Sequence, residues 1–141
     1  MLWISSLFLS FTLCAQTWTG IQSGQPSEAT VSFLSGNLQS SSLKLSIPGF
    51  SSTNVQTPAG IKTVIDLEGC TRMLEAGAPD LPKITASLII PDNAHMEVNI
   101  TQSNYVDYQN VEVAPSKGNF TRDIDPATVP YTFGSSYSTD G

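Results

Sequence analysis

Short runs of alternating apolar and polar residues, separated by Pro and Gly, constrain the fold of this chain more than any other sequence feature. No segment sustains apolar residues at i, i+3 and i+4, which is the pattern of an amphipathic helix. Runs such as residues 43–47 instead alternate with period two, and residues 30–34 are rich in β-branched and aromatic side chains. We therefore predict a mainly β fold, an antiparallel β-sandwich with few helices.

The individual strands follow from the same patterns. Residues 84–90 and 96–100 flank Pro91-Asp92-Asn93-Ala94, which favours a tight turn because Pro sets one dihedral and Asp and Asn tolerate the others. We predict an antiparallel hairpin there, and we predict a loop at residues 51–60. Further strands are predicted at residues 30–34, 43–47, 61–67 and 105–113, and Trp18 and Ile21 are candidates for an additional edge strand.

The N-terminus has the pattern of a secretory signal peptide. The apolar run from Leu2 to Leu13 is too short to span a bilayer, and small or polar residues follow it. We predict cleavage after Ala15 and secretion, with no stable membrane span. Removal of residues 1–15 leaves Cys70 as the single cysteine, which cannot form an internal disulfide.

We divide the chain into three parts: the signal peptide, a flexible N-terminal segment with the first strands at residues 16–59, and a third region at residues 60–141.

The charge of the chain argues against one class of partner. The formal net charge is -6, and only six Lys and Arg residues are present. Nucleic-acid binding requires cations that neutralise phosphates, so we expect no nucleic-acid partner.

The chain carries few residues that could perform catalysis. A Cys70–His95 dyad is formally conceivable, but a buried thiol and an exposed turn histidine are the favoured interpretation. One His and one retained Cys do not supply the three or four ligands of a zinc site. Asp123 and Asp125 could form a catalytic pair or, with Asp92, a cation site, although solvated loop charges are favoured. We therefore predict no catalytic residue, no metal and no cofactor in this chain.

Residues 114–134, APSKGNFTRDIDPATVPYTFG, hold the last two cations of the chain, Lys117 and Arg122, whereas residues 84–113 contain none. Three prolines and two glycines keep this segment out of regular structure, and exposed loops of this kind are where proteases bind and cut. The Arg guanidinium suits bidentate pairing with a carboxylate. On these grounds a protease-binding loop and a loop solubilised by its charges are equally open.

Several separated elements add a family resemblance over residues 60–141. They are a Gly-x-Pro-x-Leu-Pro motif (Gly77, Pro79, Leu81, Pro82), an apolar run ending in Ile90-Pro91, the stretch Ala114 to Gly118 followed by Arg122, and a Pro-Tyr-x-x-Gly motif (Pro130, Tyr131, Gly134). In this order they resemble the propeptide of the gingipain family of secreted bacterial cysteine peptidases. The residues before position 60 match only in their strand pattern.

The resemblance implies a jelly-roll-like sandwich prodomain, here incomplete at its C-terminus, that covers the active site of a caspase-like catalytic domain in the same precursor until proteolysis removes it. The catalytic His and Cys then belong to that domain, and this chain is part of a cysteine endopeptidase precursor. The resemblance also implies export to the periplasm and then to the outer surface or the extracellular medium. Arg122 matches the pseudo-substrate and processing position of arginine-specific members, and Lys117 is a weaker second candidate. A sandwich without its closing strands leaves unpaired edges, so residues 16–141 alone are expected to be marginally stable or to aggregate.

An alternative from a different functional class stays open. The chain could be a free-standing secreted β-sandwich binding module with no peptidase attached. Exposed aromatic side chains on one face, such as Tyr105, Tyr108 and Tyr131, would then favour a glycan-binding surface.

Overall fold

The computed structural model describes residues 15–22 and 24–138, so all of the proposed signal peptide except Ala15 lies outside the described residues. The described secondary structure is antiparallel β with a single 3-10 turn, which confirms the mainly β prediction. The strands are β1 (Thr17–Gly20), β2 (Thr30–Gly36), β3 (Ser41–Ser46), β4 (Gly49–Thr57), β5 (Gly60–Asp66), β6 (Thr71–Arg72) and β7 (Pro82–Lys83), and the 3-10 turn is Ser135–Tyr137. Within this part of the chain no helix is long and apolar enough to cross a bilayer.

The largest sheet has the strand order β1-β4-β5, with both pairs antiparallel. The predicted strand at residues 61–67 is confirmed as β5, and Trp18 lies in the edge strand β1. The predicted loop at residues 51–60 is wrong, because β4 is the central strand of this sheet. Pairing on both sides satisfies the backbone of β4 and outweighs its polar composition.

A second sheet is the hairpin of β2 and β3, which confirms the strands predicted at residues 30–34 and 43–47. The side chain of Asn37 sets its turn, since Asn37 Oδ1 accepts hydrogen bonds from the amides of Gln39 at 2.8 Å and Ser40 at 2.9 Å. Every residue of β2 is exposed. The hairpin is therefore held by its own pairing and turn rather than by burial against a second layer.

The hairpin predicted between residues 84–90 and 96–100 is wrong. Its turn forms, with the Ala94 amide donating to the Pro91 carbonyl at 2.9 Å, but neither flank belongs to a strand. Residues 105–113 likewise form no strand and contribute a single parallel bridge, between Val113 and Thr63. A period-two pattern indicates which face a strand would bury, but pairing also requires a neighbouring strand, and the described residues offer none to this segment.

The described core is small and lies around the third region rather than between two sheets. Ala114 is fully buried, Ser116 is 2% exposed, and Pro115 is buried between them. The described strands form three separate small sheets. The two-layer sandwich, its jelly-roll topology and its incompleteness stay predictions.

Candidate functional site

The segment at residues 112–116 is held by backbone hydrogen bonds on both of its sides. On one side, the Ala114 amide donates to the Thr63 carbonyl of β5 at 2.8 Å. On the other side, the Asp80 amide donates to the Ala114 carbonyl at 2.9 Å, and the Ser116 amide donates to the Ala78 carbonyl at 2.7 Å. Because the backbone groups of Ala114 and Ser116 are paired in this way, both residues can be buried without leaving those groups unsatisfied.

Residues 133–137, at the C-terminal end of the proline-rich segment, are hydrogen-bonded to Gly77 and Val113. The Gly134 amide donates to the Gly77 carbonyl at 2.9 Å, and the Tyr137 hydroxyl donates to the Val113 carbonyl at 3.0 Å. Gly77 has φ of +79°, and a Cβ added there would lie 3.0 Å from the Gly134 amide nitrogen. We call residues 76–80, 112–118 and 133–137 the stem.

An ion-pair cluster supports the stem from β5 and β6. The Arg72 guanidinium pairs with the carboxylates of both Asp66 and Asp80. The Asp80 side chain is 14% exposed, and its second oxygen, Oδ1, is buried without a hydrogen-bond partner among the described residues. Burial raises the pKa of the Tyr131 phenol above 10.0; the Asp80 carboxylate adds to this rise, and Arg72 opposes it.

Between the two ends of the stem, residues 119–130 form a loop of two consecutive turns, which we call the arginine loop. In the first turn the Ile124 amide donates to the Thr121 carbonyl at 3.1 Å, which places Arg122 at the second position of the turn. In the second turn the Thr128 amide donates to the Asp125 carbonyl at 3.0 Å. Residues 121–128 are all exposed.

The structure gives different environments to the two cations that the sequence placed in this segment. The Lys117 ammonium donates to the Pro126 carbonyl at 2.7 Å and lies 4.5 Å from the centroid of the Tyr131 ring. Arg122 is exposed and makes no hydrogen bond or ion pair within the described part of the chain. Arg122 is therefore available to a partner, whereas Lys117 is engaged within the chain.

The carboxylates of the loop take part in its turns. A hydrogen bond from the Thr121 side chain, followed by one from its own backbone, lowers the pKa of Asp123 below 3.8. Asp125 Oδ1 accepts a hydrogen bond from the Ala127 amide at 2.9 Å, which fixes the second turn. In residues 15–22 and 24–138 no group of three or more His, Cys, Asp or Glu side chains could hold a metal ion.

The remaining candidates lie apart from this site. Cys70 is half-buried immediately before β6, and His95 is exposed in the unpaired segment. Among the three tyrosines proposed for a glycan-binding face, Tyr108 packs edge-on against Phe50 with ring centroids 5.1 Å apart. Tyr131 lies beside Lys117, and Tyr105 is 80% exposed. Two of these tyrosines are thus used in contacts within the chain.

Sequence reasoning missed the Arg72 cluster. The partners of Arg72 lie six residues before it and eight residues after it, across two turns. No motif spacing signals such a pairing, because only the fold of β5, β6 and residues 76–80 brings the three side chains together.

Several known proteins resemble this chain in sequence. The sequence model of the Propeptide_C25 family matches residues 22–141. Gingipain R1 of Porphyromonas gingivalis is 33% identical over 136 residues, which cover 93% of this chain and 14% of the relative. Gingipain R2 of the same species is 30% identical over 125 residues, which cover 86% of this chain and 17% of the relative. The chain thus spans less than a fifth of the length of these two relatives.

A solved structure shares the fold. The complex of Porphyromonas gingivalis RgpB pro- and mature domains aligns with a TM-score of 0.71 and 31% sequence identity, over 76% of this chain and 56% of that chain.

Proposed function

This chain belongs to the Propeptide_C25 family, and from that premise we propose that it is the inhibitory propeptide segment of a secreted gingipain-like cysteine endopeptidase precursor. It masks the active site of the peptidase until proteolysis removes it. The partner is the catalytic domain of the same precursor, bound in cis. A solved complex of pro- and mature domains in a similar protein supports a partner of this kind.

The observation that carries the proposal is the exposed Arg122, which lies at the second position of a turn four residues after the buried Gly118 and has no hydrogen bond or ion pair among the described residues. A planar guanidinium with five donors fits a carboxylate bidentately, so a specificity pocket that selects Arg would bind this side chain. Arg122 is accordingly the proposed pseudo-substrate and processing residue. Lys117 is the weaker second candidate, because its ammonium already has partners within the chain.

We also propose that the precursor is exported from the cell. Residues 1–15 act as the signal peptide, and the precursor reaches the periplasm and then the outer surface or the extracellular medium. Residues 16–59 supply the N-terminal part of the prodomain, and residues 60–141 carry the inhibitory loop. Reading the coding sequence beyond Gly141 tests the arrangement in cis: a caspase-like domain there supports it, and a stop codon contradicts it.

The test of inhibition compares Arg122→Ala with Lys117→Ala. Each chain is titrated against a gingipain-like arginine-specific cysteine peptidase, and the inhibition constant is measured. Truncating one partner of a desolvated charge pair costs about 2–5 kcal/mol, and about 1.4 kcal/mol is tenfold in affinity. Arg122→Ala should therefore weaken inhibition by about 30-fold or more, and Lys117→Ala by far less. Equal effects of the two variants would contradict the assignment.

Processing at the same residue is tested separately. The chain is incubated with the active peptidase, and the products are identified by mass spectrometry. Cleavage after Arg122 should give a fragment that begins at Asp123, and that fragment should be absent for Arg122→Ala. A fragment that begins at Gly118 would instead assign processing to Lys117.

A further inference from the structure

We infer that Lys117 is a positioning residue, which ties the arginine loop to the stem and so holds Arg122 in place for the peptidase. The part of this inference that concerns the peptidase rests on the proposed function. The part that concerns the loop rests on contacts within the chain alone. A role of this kind differs from that of a second pseudo-substrate residue.

The backbone of Lys117 is fixed by its two neighbours. Ser116 is 2% exposed, Gly118 is buried, and the Gly118 amide donates to Ser116 Oγ at 3.1 Å. Gly118 has φ of +89°, and a Cβ added there would lie 2.9 Å from the Cβ of Ala76. The lysine side chain therefore starts from a point that cannot shift without disturbing the stem.

From this fixed point the ammonium reaches across the base of the loop. Its hydrogen bond goes to the carbonyl of Pro126, the second residue of the Asp125–Thr128 turn, nine residues along the chain. Its contact with the Tyr131 ring joins the chain that enters the loop, at Lys117, to the chain that leaves it, at Tyr131. The second turn is thus anchored to the stem, and the freely moving part is reduced to the first turn, which carries Arg122.

Anchoring of this kind favours binding because it lowers the conformational entropy that the loop loses when it is ordered in a complex. The same geometry argues against cleavage after Lys117. That peptide bond lies beside the buried Ser116 and Gly118, and a protease would have to unfold the stem to reach it. Arg122 and Lys117 therefore have complementary roles, one in contact with the peptidase and one in holding the loop.

The first experiment uses trypsin as a probe of loop order, with the full chain and without any peptidase partner. The initial rate of cleavage after Arg122 is followed by mass spectrometry for the wild type, Lys117→Met, Lys117→Arg and Lys83→Met. Lys117→Met should raise this rate several-fold, because it keeps the aliphatic part of the side chain and removes the hydrogen-bond donor. Lys117→Arg should restore a rate near that of the wild type. Lys83→Met, which changes an exposed lysine of β7, should leave it unchanged.

The second experiment measures inhibition of a gingipain-like arginine-specific cysteine peptidase by the same chains. Lys117→Met should weaken inhibition by about 3- to 10-fold, which is the scale expected for losing the preorganisation of about one side chain. Tyr131→Leu removes the ring contact and keeps the ammonium hydrogen bond, so its effect should be smaller than that of Lys117→Met. It also provides a test if Lys117→Met fails to fold.

The outcomes separate the inference from the proposed function. Equal rates of trypsin cleavage for the wild type and Lys117→Met, or an effect of Lys83→Met as large, would overturn the inference. If Arg122→Ala inhibits as well as the wild type, the proposed function is wrong, and the trypsin rates alone decide the role of Lys117. If Lys117→Met loosens the loop while its inhibition equals that of the wild type, the positioning role toward the peptidase is overturned.

Discussion

The stem and the arginine loop are adjacent in the chain, and both contain Pro, yet they differ in almost every physical respect. Ala114 and Ser116 of the stem are buried. Ala114 is hydrogen-bonded to backbone on both sides, and Ser116 is hydrogen-bonded to the backbone of Gly77 and Ala78. Arg122 of the loop is exposed in a turn closed by one backbone hydrogen bond. The difference shows that proline-containing segments can build a rigid base or an accessible loop, depending on whether neighbouring backbone is present to pair with them.

Lys117 lies at the boundary between the two regions. Its backbone belongs to the stem, and its side chain reaches the second turn of the loop. Variants that weaken one region and spare the other therefore test whether the two regions are as distinct as the structure indicates.

The largest effect on stability is expected from Arg72→Met, which breaks the support of the stem. This change leaves the Asp80 carboxylate, 14% exposed, without its cation. An unpaired buried charge costs several kcal/mol, and the partial exposure of Asp66 and Arg72 reduces this, so we expect a loss of about 2 kcal/mol in the free energy of unfolding. The measurement is the shift in the urea midpoint of the full chain.

Lys62→Met is the matched control for that prediction. It removes an ion pair whose partner, the Glu112 side chain, is 70% exposed. The Lys62 side chain is 13% exposed, but its carboxylate partner is solvated, so the pair contributes about 0–1 kcal/mol, as surface pairs do. Equal midpoint shifts for Arg72→Met and Lys62→Met would show that the Arg72 cluster gives the stem no special support.

A smaller effect is expected from Gly118→Ala, at the junction between stem and loop. An L-residue in the left-handed region costs about 1–2 kcal/mol, and the new Cβ would lie 2.9 Å from that of Ala76. The free energy of unfolding should fall by about 1–2 kcal/mol, with faster trypsin cleavage after Arg122. Gly60→Ala is the control, since Gly60 has φ of +97° but no atom within 4 Å of an added Cβ. A larger loss for Gly60→Ala would contradict close packing at the junction.

The smallest effect is expected from acid acting on the loop alone. Because the pKa of Asp123 in the folded chain lies below 3.8, its ionised form stabilises the turn above that pH, and this support is lost as the pH falls through the lowered pKa. An NMR titration should give a midpoint below 3.8 for the Asp123 carboxyl. Thr121→Ala should raise the midpoint toward 3.8, because it removes the first cause of the shift. Thr128→Ala should not change the Asp123 midpoint. If Thr121→Ala also leaves the midpoint unchanged, the Thr121 side chain does not stabilise this carboxylate.

Sequence reasoning predicted the parts of the fold that depend on local pattern. The alternation at residues 43–47 and the β-branched run at residues 30–34 identified β3 and β2. It failed for β4, whose polar residues form a central strand because β1 and β5 pair with it. It also failed at residues 84–100, where a strong strand pattern has no partner in the described structure.

For the candidate site too, local sequence predicted one part, and contacts between distant residues determine the rest. Composition pointed to the segment that contains Lys117 and Arg122, since these cations follow a long stretch without any. Their different environments depend on the Pro126 carbonyl and the Tyr131 ring, which reach Lys117 only through the turns of the loop. The Arg72 cluster depends on three elements that no local pattern links.

The most direct test of the account is amide hydrogen exchange of the full chain, alone and with a gingipain-like arginine-specific peptidase whose catalytic Cys is replaced by Ala. In the free chain the stem amides of Gly77, Asp80, Ala114 and Ser116, which are all hydrogen-bonded to backbone carbonyls, should exchange slowly. The amides of residues 119–123, which have no backbone hydrogen bonds in the structure, should exchange quickly. Addition of the peptidase should slow exchange at residues 119–124 and leave the stem unchanged. Similar exchange in both regions of the free chain, or protection by the peptidase that spares the arginine loop, would contradict the account.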